Sequence, residues 1–239
     1  MQPWGCWAPA GTKTNLITTD LEYEASKGPF PCFTYATLAA LLDAKAVSWK
    51  CYAPYSPKRE SEVNDTNPFF AVKAVWDTQS EFAAHISYPE TNVLSDVANG
   101  ALPAMSWVIP RASNSDAPGN KVDDGPAWVA SVVNAIGESS YWDSTAVVVV
   151  WDDWGGFYDP VPPPFFDKQG GAGFRVPLIV ISPYAAQGYV SHDVYGFGSI
   201  VRFIEDTWDL GRLGTTDKTS TSVGNMFDLR QAPRPFVSI

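Results

Sequence analysis

The sequence TAVVVVWDDWGGFYDPVPPP, residues 145–164, is the most informative segment of the chain. A run of valines suited to a buried strand ends at two adjacent aspartates, Asp152 and Asp153, and two glycines follow shortly after. Two like charges beside an apolar core are unfavourable unless a cation, hydrogen-bond donors or bulk water stabilise them. The sequence therefore predicts either a cation site or a solvated turn at the end of this strand.

The length, composition and charge of the chain indicate its domain number and limit its possible partners. The chain has 239 residues, of which 45% are hydrophobic and 14% aromatic, and this is ample for one sizeable core. We expect a single domain over residues 1–239. The formal net charge is −10 and no Lys/Arg cluster is present, so the electrostatics do not favour a nucleic-acid or anionic-membrane partner.

Targeting and redox signals are weak in this sequence. No apolar run is long enough to span a bilayer, and residues 1–30 lack the apolar region of a signal peptide, so the localisation stays open. The three cysteines do not have the paired short spacing of a zinc site. A disulfide between Cys6 and Cys32 suits an exported protein, and three inert thiols are the alternative.

Apolar patterns alternate between two periods along the chain. Helical spacing occurs over residues 34–46, 69–87, 125–140 and 198–208. Continuous apolar runs occur over residues 46–54, 102–110, 145–153 and 175–185. Strands of this kind, separated by helices, are typical of a sheet that is covered on both faces. The sequence predicts an α/β fold with a mostly parallel sheet flanked by helices.

Polar residues follow several of the predicted strands. Asp152 and Asp153 end the most apolar strand, Asp159 lies just beyond them, Asp116 follows the strand at 102–110, and His192 follows the last strand. Ligands collect at the carboxyl ends of strands in such sheets, so these side chains are candidates to converge. Carboxylate and imidazole groups suit a divalent cation such as Mg, Mn, Ca or Zn.

Each candidate also has a purely structural interpretation. Adjacent aspartates after a strand are common in turns and helix caps, and Asp159 before a proline is typical of a turn. Ser191, His192 and Asp193 are sequence neighbours, which rarely form a catalytic triad. His85 lies in a helical pattern and is expected to be structural.

Several longer blocks carry a resemblance to a known family. They are PCFTYATLAALLDAKAVSWKCYAP, DVANGALPAMSWVIPRASNSDAPG, GPAWVASVVNAIGESSYWDSTAVVVVWDDWGGFYDPVPPP, GFRVPLIVISPYAAQGYVSHDVYGFGSIVRFIEDTWDL and MFDLRQAPRPF. Together they resemble the C-terminal half of the bacterial phosphoesterase family, which includes phospholipase C and acid phosphatase enzymes of the alkaline phosphatase superfamily. The resemblance implies an alkaline-phosphatase-like core.

The resemblance also implies a chemistry. It implies metal-dependent hydrolysis of a phosphate ester or phospholipid head group by a Ser or Thr nucleophile, in a secreted or periplasmic enzyme. By motif, Asp152 and Asp153 match acidic metal ligands and Asp116 matches the aspartate of an SDHP loop. His192 and Asp159 match residues at the catalytic site, with Asp159 in the family's YDHV block.

Two departures from the family pattern bear on activity. Ala117 and Pro160 stand where the family loops have histidines. The family's first strand, its Glu-Asn metal pair and its nucleophile precede the WGC block, which here occupies residues 4–6. We therefore expect a core that lacks its N-terminal part, with an unpaired apolar sheet edge. Such a chain would be weak or inactive alone and would need the missing segment as a partner. The alternative is a non-catalytic binding or assembly module.

Overall fold

The computed structural model describes residues 4–54, 67–164 and 171–239. Within these ranges the strands are β1 (Leu16–Ile17), β2 (Tyr23–Glu24), β3 (Trp49–Tyr52), β4 (Ile86–Ser87), β5 (Met105–Val108), β6 (Val147–Val150) and β7 (Leu178–Ile181). The α-helices are α1 (Leu38–Ala44), α2 (Lys73–Asp77), α3 (Gln79–His85), α4 (Asn92–Ala98), α5 (Asp124–Gly137) and α6 (Phe197–Trp208). In the described ranges no helix is long and apolar enough to cross a lipid bilayer.

The predicted helix over residues 69–87 is wrong in its continuity. A 3-10 turn at Pro68–Ala71 is followed by α2 and α3, which are separated by the extended backbone of Thr78. The last two residues of the predicted range, Ile86 and Ser87, form β4. β-branched side chains such as those of Thr78 and Ile86 favour extended backbone, and here that preference overrides the helical spacing.

Strands β4, β3 and β5 form a parallel sheet in that order. Cys51 of β3 lies opposite Ile86 of β4, and Tyr52 lies opposite Val108 of β5. Strand β3 has a partner on each side, and Cys51 and Tyr52 are 0% exposed. Its continuous apolar pattern is therefore explained by burial on both faces.

Helices cover both faces of the parallel sheet, which confirms the α/β prediction. On one face Trp49 and Cys51 pack with side chains of α1, α2 and α6, including Leu42 and Ile204. On the other face Tyr52 packs with side chains of α4 and α5. Each fully buried side chain of this size contributes about 1.5–3 kcal/mol to folding. The mixed α/β structure is consistent with an alkaline-phosphatase-like core.

The last two strands do not extend the parallel sheet. β6 and β7 pair with each other in an antiparallel ribbon, with Val147 opposite Ile181 and Val150 opposite Leu178. The strand predicted at residues 175–185 is present, but a direction parallel to the other strands is therefore wrong. Because the two strands are antiparallel, the chain leaves β6 and β7 at opposite ends of the ribbon.

Of the two alternatives for the cysteines, a disulfide or three inert thiols, the structure has the disulfide. Cys6 and Cys32 form a disulfide, which joins the N-terminal segment to the loop before α1. Cys51 is a free thiol buried in β3, and burial raises its pKa to about 12. A thiol of this kind stays protonated and is a core side chain.

Candidate functional site

The two aspartates after β6 form a tight turn at the surface. Both side chains are exposed, and Asp152 Oδ1 accepts a hydrogen bond of 3.1 Å from the backbone N–H of Asp153. Asp153 Oδ1 accepts one of 2.5 Å from the N–H of Gly155. Gly155 and Gly156 have φ angles of +63° and +79°, which glycine adopts without steric cost. Water and local N–H groups thus stabilise the two charges, and the carboxylates remain accessible to a ligand.

The loop after β5 lies against this turn. Pro118 Cγ is 3.1 Å from the position that a Cβ atom on Gly155 would occupy. Asp116, two residues before Pro118, has a φ of +55°, in the left-handed region that aspartate tolerates better than most residues. The structure therefore brings the loop with Asp116 next to the turn with Asp152 and Asp153. We call these three residues the acidic edge.

Asp116 also faces the beginning of α5. A Cβ atom on Gly125 would lie 2.1 Å from Asp116 Oδ1, so the glycine makes room for the carboxylate. A negative charge near a helix N-terminus is stabilised by about 0.3–1 kcal/mol, because the first N–H groups of the helix are unsatisfied. The helix that connects β5 to β6 thus helps to position this carboxylate.

Asp159 has a structural partner that the sequence did not reveal. Its Oδ2 accepts a hydrogen bond of 2.8 Å from Arg175 Nε, and its Oδ1 accepts one of 2.8 Å from the other arm of the same guanidinium. Backbone N–H groups of Val161 and Arg175 donate to the same carboxylate. These bonds, led by that from the Arg175 side chain, hold the pKa of Asp159 well below its ordinary value. The carboxylate stays ionised and ties residue 159 to residue 175, while its catalytic role stays a prediction.

His192 lies in an exposed loop that its neighbours hold in place. Ser191 Oγ and Tyr195 OH are 2.9 Å apart, and Tyr195 OH donates to Asn225 Oδ1 over 2.7 Å. Asn225 Nδ2 donates to Asp193 Oδ2 over 2.7 Å. Ser191 and Asp193 are thus bonded to other residues, and the imidazole of His192 is exposed to solvent.

Parallel strands would place His192 at the same end of the sheet as the acidic edge. Because β6 and β7 are antiparallel, the chain leaves β7 at the end of the ribbon opposite Asp152. The loop of ten residues between Ile181 and His192 would have to return along the ribbon. A site shared by His192 and the acidic edge therefore stays a prediction.

A buried ion pair at the carboxyl end of the parallel sheet was missed from the sequence. Glu90 follows β4 and is 0% exposed, and its Oε1 accepts a hydrogen bond of 2.6 Å from Arg111 Nε after β5. Glu90 and Arg111 are 21 positions apart in the sequence. The pairing of β4 and β5 with β3 brings the two residues together, and no local sequence pattern indicates this contact.

The described residues do not by themselves build a metal site. Across residues 4–54, 67–164 and 171–239 no group of three or more His, Cys, Asp or Glu side chains is arranged to hold a metal ion. Asp152 and Asp153 are suitable oxygen donors for a hard cation. Two adjacent carboxylates leave most of a coordination shell to water or to other residues.

Comparison with known proteins shows the family to which the residues of the acidic edge belong. Residues 4–211 match the Phosphoesterase family. The chain belongs to the phosphoesterase family. The match includes β5, β6, the acidic edge and His192.

Curated relatives of this phosphoesterase are phospholipases C. Phospholipase C B of Mycobacterium tuberculosis is 26% identical over 242 residues, which cover 87% of this chain and 46% of the relative. Non-hemolytic phospholipase C of Pseudomonas aeruginosa is 25% identical, over 82% of this chain and 33% of the relative. Non-specific phospholipase C6 of Arabidopsis thaliana is 32% identical over 123 residues, 42% of this chain and 24% of the relative. The chain spans less than half the length of these relatives.

Proposed function

We propose that this phosphoesterase contributes the acidic edge of a phosphoric ester hydrolase of the phospholipase C type. The observation that carries the proposal is the contact between Pro118 and Gly155, because it joins the loops that bear Asp116, Asp152 and Asp153. Family membership and the phospholipase C relatives support the reaction class. The substrate class that fits is a phosphate ester or a phospholipid head group.

The acidic edge would supply part of a divalent cation site. Exposed carboxylates attract a cation, and a bound cation would stabilise the negative charge that develops on a phosphoryl oxygen. Asp152 and Asp153 would be the ligands from this chain, and Asp116 would add charge from beside the N-terminus of α5. Asp159 would hold the segment after the acidic edge to Arg175 through its hydrogen bonds.

We assign the nucleophile and the remaining ligands to residues outside this chain. The relatives are more than twice as long as the part that matches, so their sequences have room for such a segment. Without a positioned nucleophile, a hydrolase loses both the covalent route and much of the rate gained from orientation. The chain alone is therefore expected to be weak or inactive.

We also propose that the protein works in an oxidising compartment, secreted or periplasmic. The disulfide between Cys6 and Cys32 supports this proposal, because such bonds persist mainly outside the reducing cytosol. The net charge of −10 argues against a nucleic-acid partner.

The alternative is a non-catalytic binding or assembly module. Two observations favour it: Asp159 is fully engaged by Arg175, and Ala117 and Pro160 replace residues that the family pattern has as histidines. A module of this kind would keep the fold and the acidic edge without turnover.

Turnover separates the two functions. We would assay an aryl phosphate and a phosphocholine ester with Mn, Zn or Ca present, using the chain alone and the chain co-expressed with the uncovered part of phospholipase C B. The hydrolase proposal predicts turnover only in the complemented sample, loss of that turnover in Asp153→Asn, and no loss in the charge-matched surface variant Asp20→Asn. Ala117→His together with Pro160→His should raise the rate.

Two outcomes would contradict parts of the proposal. Metal-dependent turnover by the chain alone, abolished in Asp153→Asn, would show that a Ser or Thr of this chain is the nucleophile. A complemented protein with both histidines that is folded, binds metal and stays inactive would favour the binding module.

A further inference from the structure

A group of exposed aromatic side chains lies beside the acidic edge. Trp154, Phe157, Tyr158 and Phe174 are 45%, 68%, 83% and 36% exposed. Single exposed apolar residues are ordinary on a protein surface, whereas neighbouring ones that form a patch indicate an interaction site. We call these four residues the aromatic patch.

Three rings of the aromatic patch contact one another. The ring centroid of Phe174 lies 5.7 Å from that of Trp154 and 6.5 Å from that of Tyr158. The ring planes are inclined by 71° and 63°, so the rings meet edge to face. Rings in this arrangement leave more of their faces uncovered than stacked rings do, and the faces carry the negative potential of an aromatic ring.

The ion pair between Asp159 and Arg175 holds this arrangement together. Asp159 directly follows Tyr158, and Arg175 directly follows Phe174. Two side-chain hydrogen bonds of 2.8 Å and one from the backbone N–H of Arg175 join the two residues. The ion pair therefore fixes Phe174 against the rings that follow β6, and it adds no net charge to the patch.

The aromatic patch adjoins the exposed carboxylates of the acidic edge. Asp152 and Asp153 directly precede Trp154, in the same turn. The ring of Phe157 folds back on this turn, with its Cδ2 3.3 Å from the position that a Cβ atom on Gly155 would occupy. Because the charge of Arg175 is balanced by Asp159, the charged groups of this region favour a cation beside the rings.

The rings decide which kind of cation fits. A cation within about 6 Å of a ring centroid is attracted by the negative face of the ring, and quaternary ammonium groups are bound in this way by sets of aromatic side chains. Since the centroids lie 5.7 and 6.5 Å apart, one cation can lie within that distance of two rings. A quaternary ammonium group has no N–H to donate, so it loses no hydrogen bond when it leaves water for the rings.

We propose that the aromatic patch binds the trimethylammonium group of a choline phosphate ester. This inference rests on the proposed function, which places the phosphoryl group at the acidic edge. The neighbouring patch would then take the other end of the same head group. The inference adds to the proposed function a specificity for choline esters and assigns it to Trp154, Tyr158 and Phe174.

An NMR titration of the metal-free chain with choline chloride tests the patch. Methyl protons above a ring face are shielded, so the choline methyl signal should move upfield as the chain is added. The indole N–H signal of Trp154, assigned by its loss in Trp154→Leu, should shift with it. Two analogues at the same ionic strength, ethanolamine and the neutral 3,3-dimethylbutanol, should each bind at least about five-fold more weakly.

Substitutions of the rings give the matched test. Trp154→Leu and Tyr158→Leu should each weaken choline binding by about two- to five-fold, since each removes one cation–ring contact. Tyr35→Leu is the control, because Tyr35 is 56% exposed and also lies near another ring, that of Phe33, at 6.3 Å. The control should bind choline as the wild type does.

The ion pair has its own test, in which the net charge is unchanged. Asp159→Asn plus Arg175→Gln removes one charge of each sign, so a weaker affinity for choline would come from the loss of ring positions. We expect a loss of at least about two-fold. The same pair of changes at Asp228 and Arg230, which form another surface ion pair, should have no effect. Unchanged binding in the first variant would overturn the role given to the ion pair.

Vesicles distinguish two sources of the choline group. Co-sedimentation of the chain with phosphatidylcholine vesicles, reversed by choline, would identify a lipid head group. Choline binding without co-sedimentation would identify a soluble choline ester. Both results support the proposal. Co-sedimentation that choline does not reverse would show a general lipid-binding surface and would contradict it.

Three further results would overturn the proposal. One is equal binding of choline and 3,3-dimethylbutanol, and another is choline binding that persists in full without the rings of Trp154 and Tyr158. The third is a shift of the Trp154 signal with protein concentration alone, which would make a second copy of the chain the occupant. The titration uses neither metal nor turnover, so an inactive hydrolase that binds choline would contradict only the proposed function.

Discussion

At the scale of the residue, the charges of the acidic edge have local partners. Asp152 and Asp153 use one carboxylate oxygen each to stabilise their own turn, and Asp116 faces the N-terminus of α5. Asp159 differs because Arg175 and two backbone N–H groups occupy both of its oxygens. The sequence identified all four carboxylates as candidates. It did not show which of them is already bonded to another side chain, because the partner of Asp159 is distant in sequence.

The first prediction concerns the affinity of the acidic edge for metal. We expect dissociation constants for Mn, Zn and Ca on the order of 10⁻⁴–10⁻³ M, the range of sites with few fixed ligands. Asp152→Asn plus Asp153→Asn should abolish the heat of binding in a calorimetric titration. The charge-matched control, Asp20→Asn plus Asp143→Asn, should retain it. Submicromolar affinity in the first double variant would place the metal elsewhere.

A second prediction concerns the ion pair between Asp159 and Arg175. Arg175→Ala should return the pKa of Asp159 toward about 3.9, the value for an unperturbed aspartate. The folded-state pKa of Asp159 is lower than its unfolded-state pKa, so the ion pair stabilises the protein above the unfolded-state pKa. This stabilisation is lost as the pH falls toward the folded-state pKa. Carboxyl chemical shifts should show the change in pKa.

Urea unfolding checks the sign of this effect. The difference in midpoint between the wild type and Arg175→Ala should be present at pH 7 and should shrink below about pH 4. Arg230→Ala breaks a different ion pair, with Asp228, and should leave the titration of Asp159 unchanged. An unaltered pKa of Asp159 in Arg175→Ala would contradict the role given to that arginine.

At the scale of the element, α5 links the acidic edge to the sheet. It follows the loop that bears Asp116 and leads to β6, which ends at Val150, two residues before Asp152. Gly125 in its first turn leaves room for the carboxylate of Asp116. The same helix packs on Tyr52 through Val132, so the loop is anchored to the core.

A double-mutant cycle tests this arrangement. Gly125→Ala should lower the free energy of unfolding in the wild type, by about 1–3 kcal/mol, because the new methyl group overlaps Asp116. In an Asp116→Gly background the same change should raise it by about 0.5–1 kcal/mol, since alanine favours a helix more than glycine does. Equal effects in both backgrounds, measured by urea unfolding, would mean that the two residues do not touch.

How far the sequence predicts the elements depends on what each element needs. Strands β3, β5, β6 and β7 and helices α1, α5 and α6 lie within or close to their predicted ranges, because long apolar runs and helical stripes are local signals. Strand β4 was missed, because two residues gain strand structure only by pairing with β3. The direction of β7 was wrong for the same reason: direction is set by the partner strand.

At the scale of the whole molecule, the parallel sheet of β4, β3 and β5 and the ribbon of β6 and β7 both contact α4 and α5. The unpaired apolar edge that the family pattern implies stays a prediction. The buried pair of Glu90 and Arg111 lies at the carboxyl end of the parallel sheet, as does the loop of Asp116. Charged groups thus collect at one end of the sheet.

A second group of acidic and histidine side chains lies at the amino end of the same sheet. Asp43, Glu81 and His85 line a cavity of about 430 Å³ beside Ser48, the residue before β3. His85 stacks on Trp49, with ring centroids 3.9 Å apart, and its Nδ1 lies 2.8 Å from the carbonyl oxygen of Trp49. These contacts agree with a structural role for His85. Cation binding at the acidic edge can be compared with cation binding at this cavity.

The location of a bound cation decides whether the acidic edge is a cation site. We would add Mn²⁺ to the isotopically labelled chain and record which backbone amide signals broaden. Selective broadening at both Asp152–Gly155 and Asp116–Pro118, lost in Asp152→Asn plus Asp153→Asn, is the predicted result. Broadening centred on Asp43, Glu81 and His85, or equal broadening over the whole surface, would contradict a cation site at the acidic edge.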